Sequence, residues 1–218
     1  MTDLSGWASL KWTAPDMLEG RYARLERLAA RHAAALQAAN PRDAGHWAYM
    51  PYGPFADDDA YGAWFDAAAA GKDPVFYAVR GDIGWSGVAS LMRIDRANGV
   101  IEIGNIAFSP GLQRTRAATE AIHLMIDHAF AAGFRRVEWK CNARNAPSRA
   151  AALRFGFAHE GTFRQHMVVK GANRDTAWFA IIDGDWSRLR AAHLAWLAPS
   201  NFDARGQQLR SLSEFAAA

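Results

Sequence analysis

The sequence has little cysteine and no long apolar run, and both absences narrow the class of protein. Cys141 is the only cysteine among 218 residues, which excludes an internal disulfide and any metal or redox site built on paired cysteines. No stretch of about 18 apolar residues could span a membrane, and no N-terminal segment has the pattern of a signal peptide. We therefore expect a cytoplasmic protein with no disulfide, with Cys141 as a buried strand residue.

Motifs for several kinds of ligand are also missing. There is no GxxxxGK[ST] phosphate loop, no GxGxxG after a strand and no HExxH metal motif. Nothing resembles a nucleic-acid-binding motif, and the aromatic residues do not alternate with basic ones as a stacking platform would require. We therefore expect no bound metal, no nucleic-acid partner and no membrane partner.

Charge is nearly balanced over the whole chain but uneven along it. The net charge is +3, yet residues 112–175 carry 11 Lys or Arg against 5 Asp or Glu, while residues 1–111 carry 10 against 13. A positive field concentrated in one third of the chain is expected where an anionic ligand binds. A solvated basic surface would have the same composition.

The apolar periodicity indicates a mixed sheet with helices on its faces. We predict a helix over 18–39, ended by Asn40-Pro41, and a second helix from the acidic residues 57–59 to about residue 70. Three strands follow at 75–80, 84–94 and 100–108, separated by hairpin turns. The other predicted elements are a helix at 116–132, a strand at 136–142, a helix at 146–154, a hairpin of 157–170 and 174–182 with its turn at 171–173, and a helix at 185–196.

The strand–turn–helix unit at 101–132 is the most informative part of the sequence. A helix that begins just after a turn offers unpaired backbone N–H groups and the positive end of its dipole to an anion. Three small residues, Thr115, Ala117 and Ala118, would let a phosphate approach the backbone. Two arginines, Arg114 and Arg116, add positive charge for a pyrophosphate. A capped helix with two solvated arginines would have the same local sequence.

Residues 113–118 (Gln-Arg-Thr-Arg-Ala-Ala) resemble the pyrophosphate loop of the GNAT acetyltransferases, whose pattern is Gln/Arg-x-x-Gly-x-Gly/Ala. Three later segments are similar to the second half of that family's pattern, in its RimJ/RimL-type branch. They are Asn145-Ala146-Pro147-Ser148, Gly156-Phe157 and Glu160-Gly161. The resemblance covers about residues 75–183 in order and spacing. One departure is Arg116, which stands at the first glycine of the loop and requires helical backbone there.

The resemblance implies an α+β fold with a mixed, mostly antiparallel sheet, helices on both faces, and splayed central strands at 100–108 and 136–142. It implies acetyl-CoA as co-substrate, with pantetheine between those strands. The acetyl group would pass to a primary amine, either a small molecule or a peptide or protein N-terminus, by direct attack in a ternary complex. A non-catalytic acyl-CoA-binding module is the alternative. Residues 1–183 would form the domain, and 184–218 would pack on it or on a partner subunit.

Individual residues acquire candidate roles from this resemblance. Glu102, which we expect to share a strand face with Gly104, Ile106 and Phe108, is the candidate general base, and a structural carboxylate is the alternative. Ser148 is the candidate that orients or protonates the leaving thiolate, and a helix cap is the alternative. The predicted cofactor-binding residues are Ser148 again and Ile106, Ala107, Phe108, Gln113, Arg114, Thr115, Arg116, Ala117, Ala118, Thr119, Asn142 and Asn145.

The acceptor side is predicted less specifically. The aromatic segment 46–55 and the acidic residues 57–59 suit a cationic amine or a peptide N-terminus, although a packed loop and a helix-dipole partner would have the same composition. His166 and Arg164 are further candidates for lining the acceptor pocket. Some enzymes of the branch that act on ribosomal proteins have a catalytic glutamate where this chain has Met167. This difference argues against assigning their mechanism or their substrate to this chain. The sequence is compatible with both a monomer and a homodimer.

Overall fold

An eight-stranded sheet runs through the computed structural model, which describes residues 3–41 and 43–217. The strand order is β1-β2-β3-β4-β5-β6-β8-β7, and every neighbouring pair is antiparallel except β5 and β6. The predicted α+β fold class is confirmed. The strands are β1 (Met17–Glu19), β2 (Arg24–Arg27), β3 (Val75–Gly81), β4 (Gly84–Asp95), β5 (Val100–Phe108), β6 (Arg136–Asn142), β7 (Ala158–Val169) and β8 (Ala172–Ile182).

Helices cover both faces of the sheet. They are α1 (Ala33–Ala39), α2 (Asp58–Ala70), α3 (Arg116–Ala131), α4 (Ala146–Arg154), α5 (Asp183–Leu197) and α6 (Leu212–Ala216), with 3₁₀ turns at Ala30–His32 and Pro199–Asn201. Helices α3 and α5 pack on one face and form the main core. Helices α1 and α2 cover the β3–β4 half of the other face. Each fully buried side chain, such as Ile122 or Met125 of α3, contributes about 1.5–3 kcal/mol to this packing.

The predicted helix over 18–39 is wrong in its first half, where β1 and β2 form instead. Leu25 of β2 pairs with Val79 of β3 and is fully buried, and this burial outweighs the helix propensity of the Leu- and Arg-rich segment. The turn between β1 and β2 is held from α3, because the Glu120 carboxylate accepts N–H groups at 3.0 Å from Arg21 and 2.7 Å from Ala23. Only the second half of the prediction, α1, is helical.

The hairpin of β7 and β8 turns slightly earlier than predicted. Val169 pairs with Ala172, so the turn consists of two residues, Lys170 and Gly171. Both have positive φ, 51° and 74°, as a two-residue type I′ turn requires. Ala172 and Asn173, which we predicted in the turn, already belong to β8.

The parallel strands β5 and β6 pair over only three residues. The pairs are Val100 with Arg136, Ile101 with Val137, and Glu102 with Glu138. Beyond them β5 continues beside β4 to Phe108, while β6 continues beside β8 to Asn142. The two strands therefore diverge and leave an opening in the centre of the sheet, which confirms the expected splay.

The C-terminal segment packs on the same core as the sheet. Trp186, Trp196 and Leu197 of α5 and Leu212 of α6 are all buried in the main cluster. Asn201 holds the intervening loop, since its side-chain amide donates to the carbonyl oxygens of Trp196 and Arg210, each at 3.1 Å.

Candidate functional site

Helix α3 begins directly after the turn that follows β5. Thr115 is its N-cap: the Oγ1 atom accepts from the Ala118 N–H at 3.0 Å and donates to the Leu112 carbonyl at 2.7 Å. Gln113 ties the turn to the end of β5, because its Nε2 donates to the Phe108 carbonyl at 2.8 Å. The first N–H groups of α3 lack acceptors within the helix and lie at the positive end of its dipole, which suits an anion.

The backbone at Arg116 explains how an arginine can occupy the position of the first family glycine. Arg116 is the first residue of α3, so its backbone is helical and needs no glycine. Arg114, two residues earlier, takes the left-handed conformation with φ of 62°. The Arg116 guanidinium packs between the rings of Tyr22 and Phe202, 4.9 and 4.8 Å from their centroids.

The next three residues of α3 face the core. The side chains of Ala117, Ala118 and Thr119 are all buried. The Thr119 N–H and hydroxyl both donate to the Thr115 carbonyl, at 3.2 and 3.3 Å, and the hydroxyl accepts from Arg154 at 3.2 Å. Both Thr119 donors are thus engaged within the protein, and its contact with the cofactor stays a prediction.

A β-bulge interrupts β5 beside the opening. Gly104 pairs with Ser90 and Ala107 with Val88, so β5 has one more residue than β4 between these pairs. Asn105, inside the bulge, has φ of 51°. A bulge of this kind changes which way the following residues point.

The bulge overturns the prediction that Glu102 shares a face with Ile106 and Phe108. Glu102 lies between two residues of the main core and so points to the opposite face. After the bulge, Ile106 and Phe108 pack with the main core, while Ala107 packs with the second cluster beside α2. Ala107, not Phe108, is therefore on the face of Glu102.

The Glu102 carboxylate is buried and paired with cations. Its Oε2 atom lies 3.0 Å from Lys140 Nζ and 3.5 Å from Arg93 Nε. Burial raises the pKa of Glu102, and the charge of Lys140 opposes that rise. In the part of the chain that the structure describes, Oε1 has no hydrogen-bond partner; it lies 3.4 Å from where a Cβ on Gly104 would be. The Met92 side chain occupies this space, since the same Cβ would lie only 2.6 Å from Met92 Sδ.

Lys140 belongs to a chain of alternating charges that crosses the sheet. Its Nζ lies 2.5 Å from Glu138 Oε2. The Arg136 guanidinium contacts both glutamates, with Nε 2.8 Å from Glu138 Oε1 and Nη2 2.5 Å from Glu160 Oε2. Lys140 was not among the predicted site residues, although Glu138 and Lys140 share one face of the strand that pairs with β5. The full chain consists of Arg93, Glu102, Lys140, Glu138, Arg136 and Glu160.

Ser148 lies at the start of α4, on the opposite side of the sheet from Glu102. Asn145 is the N-cap of α4, since its Oδ1 accepts from the Ser148 N–H at 3.1 Å. The Ser148 hydroxyl accepts from Trp139 Nε1 at 3.0 Å, and Trp139 is buried in the main core. Burial raises the pKa of the nearby Cys141 thiol, and a hydrogen bond with Ser148 opposes the rise. The cap alternative for Ser148 is wrong, because Asn145 performs that role.

Asn142 ends β6 at the mouth of the opening. Its Oδ1 accepts from the Arg144 N–H at 2.9 Å. The side-chain oxygens of Asn142 and Asn145 are thus both engaged by their own loop. Contacts from these residues to a ligand would therefore come from their amide NH₂ groups.

The aromatic segment 46–55 bridges the two sides of the opening. The Tyr52 hydroxyl donates to the Asn105 carbonyl of β5 at 3.4 Å. The Tyr49 hydroxyl donates to the Arg144 carbonyl beyond β6 at 3.1 Å. The segment therefore borders the face of the opening on which Glu102 lies.

The β7–β8 hairpin borders the same side. Lys170 Nζ donates to the carbonyl oxygens of Trp47 and Tyr52 at 2.8 and 3.2 Å. His166 Nδ1 lies 2.9 Å from the Thr176 hydroxyl.

The acidic residues 57–59 have a different role: Asp57 caps α2 by accepting from the Ala60 N–H, and the other two lie in its first turn. They support the helix-dipole alternative.

The charges near the start of α3 suit an anionic group. Among the described residues, Arg114, Arg116 and Arg154 form no ion pair with an acidic side chain. In the same residues no cluster of three His, Cys, Asp or Glu could hold a metal ion, and no helix has the length and apolarity needed to cross a membrane.

Comparison with known proteins explains this geometry. Residues 23–158 match the acetyltransferase (GNAT) domain family. A GCN5-related N-acetyltransferase from Brucella melitensis is 47% identical, with 99% of this chain and 100% of that chain covered and a TM-score of 0.96. This chain belongs to the GNAT acetyltransferase family. The resemblance drawn from the pyrophosphate loop is thereby confirmed at the level of the family, as is acetyl-CoA, the acyl donor of GNAT enzymes.

Other solved GNAT structures are similar over much of their length. A GNAT-family protein from Chromobacterium violaceum is 44% identical, with 86% of this chain and 96% of that chain covered and a TM-score of 0.80. Mycobacterium smegmatis RimJ in complex with CoA-disulfide is 22% identical, with 79% and 88% covered and a TM-score of 0.66, and shares the fold. Curated protein sequences gave no match.

Proposed function

We propose that this GNAT enzyme transfers the acetyl group of acetyl-CoA to a primary amine by direct attack in a ternary complex. The observation that carries the proposal is the divergence of β5 and β6 immediately after the pair of Glu102 with Glu138. The opening has a buried carboxylate on one face and a hydroxyl at the start of α4 on the other. Each face therefore offers one group suited to one of the two proton transfers.

Glu102 is the proposed general base. Its burial raises the carboxyl pKa toward the range in which a base works, and its Oε1 is not engaged by the described side chains. It removes a proton from the incoming ammonium, directly or through a water molecule. The neutral nitrogen then forms the new bond to the carbonyl carbon of the thioester. Lys140 holds the carboxylate in place from the other oxygen.

Backbone N–H groups near Ile106–Phe108 are the proposed donors to the thioester oxygen. They lie beyond the last β5–β6 pair, so β6 does not pair with this edge of β5. A preorganised donor at a developing negative charge contributes about 3 kcal/mol to catalysis. When the carbon–sulfur bond breaks, the attacking nitrogen releases its second proton to solvent. Ser148 either orients the leaving thiolate or gives it a proton and regains one from solvent, and the indole of Trp139 holds the Ser148 oxygen.

The phosphates are proposed to bind at the start of α3. The N–H groups of Arg116 and Ala117 and the charges of Arg114 and Arg116 would receive the pyrophosphate, with Gln113 and Thr115 shaping the turn. The amide NH₂ groups of Asn142 and Asn145, at the other side of the opening, would donate to pantetheine, because the side-chain oxygens of both residues are engaged within their own loop. Because acetyl-CoA is the donor, a cytoplasmic location is part of the proposal.

The acceptor class remains a small-molecule amine or a peptide or protein N-terminus. Aromatic residues of segment 46–55 and the hairpin residue His166 border the acceptor face. A RimJ/RimL-type substrate is one form of this proposal, supported by the Asn-x-x-Ser, Gly-Phe and Glu-Gly residues and opposed by Met167 at the position of a branch glutamate.

The test is thiol release from acetyl-CoA with a panel of primary amines and peptides with free N-termini. We expect one acceptor class to release CoA, and Glu102→Gln to lower kcat/KM by about 10²–10⁴ with that acceptor at neutral pH. Glu160→Gln, at the exposed end of the same charge chain, is the matched control and should retain activity. Acetyl-CoA binding without transfer to any acceptor would favour the non-catalytic module, and failure to bind any acyl-CoA would refute the proposal.

A further inference from the structure

Two arginines beside the start of α3 are held by aromatic rings. The Arg116 guanidinium lies between the rings of Tyr22 and Phe202. The Arg154 guanidinium lies 4.8 Å from the ring centroid of Trp196 and 5.4 Å from that of Phe155. Such contacts hold a guanidinium in one place while leaving its N–H donors available.

The two arginines belong to one continuous stack. The rings of Trp196 and Phe202 meet edge to face at 5.1 Å, and so they join the Arg116 contact to the Arg154 contact. Both rings come from the C-terminal segment, one from the end of α5 and one from the loop after it. The stack in order is Tyr22, Arg116, Phe202, Trp196, Arg154 and Phe155.

The stack is anchored to the first turns of α3. Arg154 donates to the Thr119 hydroxyl at 3.2 Å. The Tyr22 hydroxyl donates to the Leu197 carbonyl at 3.2 Å, which ties the N-terminal turn to the C-terminal segment. The indole of Trp196 donates to Gln208 at 2.8 Å. These bonds fix the position of both guanidiniums relative to the start of the helix.

The positive charge of the pair is not neutralised within the described residues. Neither Arg116 nor Arg154 forms an ion pair there with an acidic side chain. The acidic residue of the adjacent loop, Asp203, directs its carboxylate to the N–H groups of Arg205 and Gln207 in its own loop. Two fixed, uncompensated guanidiniums beside a helix N-terminus suit an anion with more than one charge.

We infer that the C-terminal segment completes the donor site: Trp196 and Phe202 hold Arg154 and Arg116 where they bind the phosphates of the 3′-phospho-ADP part of acetyl-CoA. This inference rests on the proposed function and assigns Trp196 and Phe202 as positioning residues. It predicts selectivity for the complete CoA thioester over thioesters of pantetheine, which lack those phosphates. The C-terminal segment thus affects donor affinity without touching the reacting atoms.

The experiment compares two donors, acetyl-CoA and acetyl-pantetheine, with the same acceptor. We expect Arg116→Gln, Arg154→Gln and Phe202→Ala each to raise KM for acetyl-CoA about tenfold with little change in kcat, because one charge-assisted contact is lost or misplaced. The same variants should leave kcat/KM for acetyl-pantetheine unchanged. Binding of CoA, 3′-dephospho-CoA and pantetheine, measured by calorimetry, should show the same loss only for the phosphate-bearing ligands.

The matched control is Phe215→Ala. Phe215 also lies in the C-terminal segment and also packs against an arginine, with Arg210 at 4.3 Å from its ring centroid, but it belongs to α6. It should leave both donors unaffected. Equal losses with both donors in Phe202→Ala, or no loss with either, would overturn the inference. A wild-type protein that binds CoA with this selectivity but transfers nothing would support the inference and overturn the proposed catalysis.

Discussion

Lys140 Nζ lies 3.0 Å from Glu102 Oε2, beside the last residue pair that joins β5 to β6. The contact brings together two charges from different strands in a place where burial disfavours charge. Burial raises the pKa of Glu102, and Lys140 limits the rise. The pair therefore sets the pH at which the proposed base becomes active.

Replacing Lys140 by Met should move the acid limb of the kcat/KM profile to higher pH. The ammonium lowers the pKa of Glu102, so its loss raises that pKa, and a larger fraction of the enzyme is protonated and inactive at a given pH. The measurement is kcat/KM from pH 5 to 9 for the wild type and Lys140→Met. Lys72→Met, at an exposed lysine, is the control. An unchanged or lowered acid limb would contradict the role of Glu102 as base.

Trp139→Phe should lower kcat less than Ser148→Ala does. The phenyl ring keeps much of the packing of Trp139 but removes the N–H that donates to the Ser148 oxygen at 3.0 Å. We expect a loss of about three- to tenfold for Trp139→Phe, since one neutral hydrogen bond of about 1 kcal/mol orients the serine. In the double variant the loss should equal that of Ser148→Ala alone. Fully additive losses in this cycle would show that Trp139 acts independently of Ser148.

Acid should destabilise the fold partly through His193. This side chain of α5 is buried, and its Nε2 donates to the Phe155 carbonyl at 3.0 Å. Burial lowers the pKa of His193 from 6.5 to about 4, and burial also lowers the pKa of His123. Between those pH values the unfolded chain binds a proton that the folded chain does not. The free energy of unfolding should therefore fall as pH drops from about 6.5 to about 4, by up to about 3 kcal/mol for His193.

Urea titrations between pH 4.5 and 7.5 provide the measurement. His193→Gln can still donate to the Phe155 carbonyl but does not titrate, so its free energy of unfolding should depend less steeply on pH. His159→Gln, on the exposed strand β7, should keep the wild-type slope. Equal slopes in His193→Gln and the wild type would show that His193 is not responsible.

Glu120→Gln should destabilise the fold by about 2–3 kcal/mol, because the carboxylate accepts N–H groups from Arg21, Tyr22 and Ala23. An amide has only one acceptor oxygen and would turn a donor toward the same N–H groups. Urea unfolding at pH 7 measures the loss. Glu19→Gln, an exposed ion-pair partner of Arg24, should change the stability by less than about 1 kcal/mol. Equal stabilities of the two variants would contradict the anchoring role.

Most elements from residue 58 onward were predictable because their sequence patterns agree with their final environments. The strand 136–142 and the helix 146–154 have the predicted bounds, since alternation and capping residues mark both ends. The segment 18–39 was not predictable in this way. Its residues favour a helix, but Leu25 is buried in the sheet and Glu120, almost a hundred residues away, holds the turn.

The candidate site was likewise predictable only in part. The turn at 113–118 and the choice of Ser148 came from local motifs. The face of Glu102 was predicted wrongly because a one-residue bulge at Asn105 depends on pairing with β4, which periodicity along β5 does not reveal. The Lys140 contact was missed for the same reason: it joins two strands that come together only in the folded sheet.

By itself, the sequence determined the family, the acyl donor and the order of strands and helices over residues 58–197, because these depend on local patterns and short motifs. The tertiary structure decided which groups meet: Glu102 with Lys140, Ser148 with Trp139, and Arg116 with Tyr22 and Phe202. Contacts between distant residues depend on register, bulges and packing. These follow from the shape of the whole sheet and have no signature in any single segment.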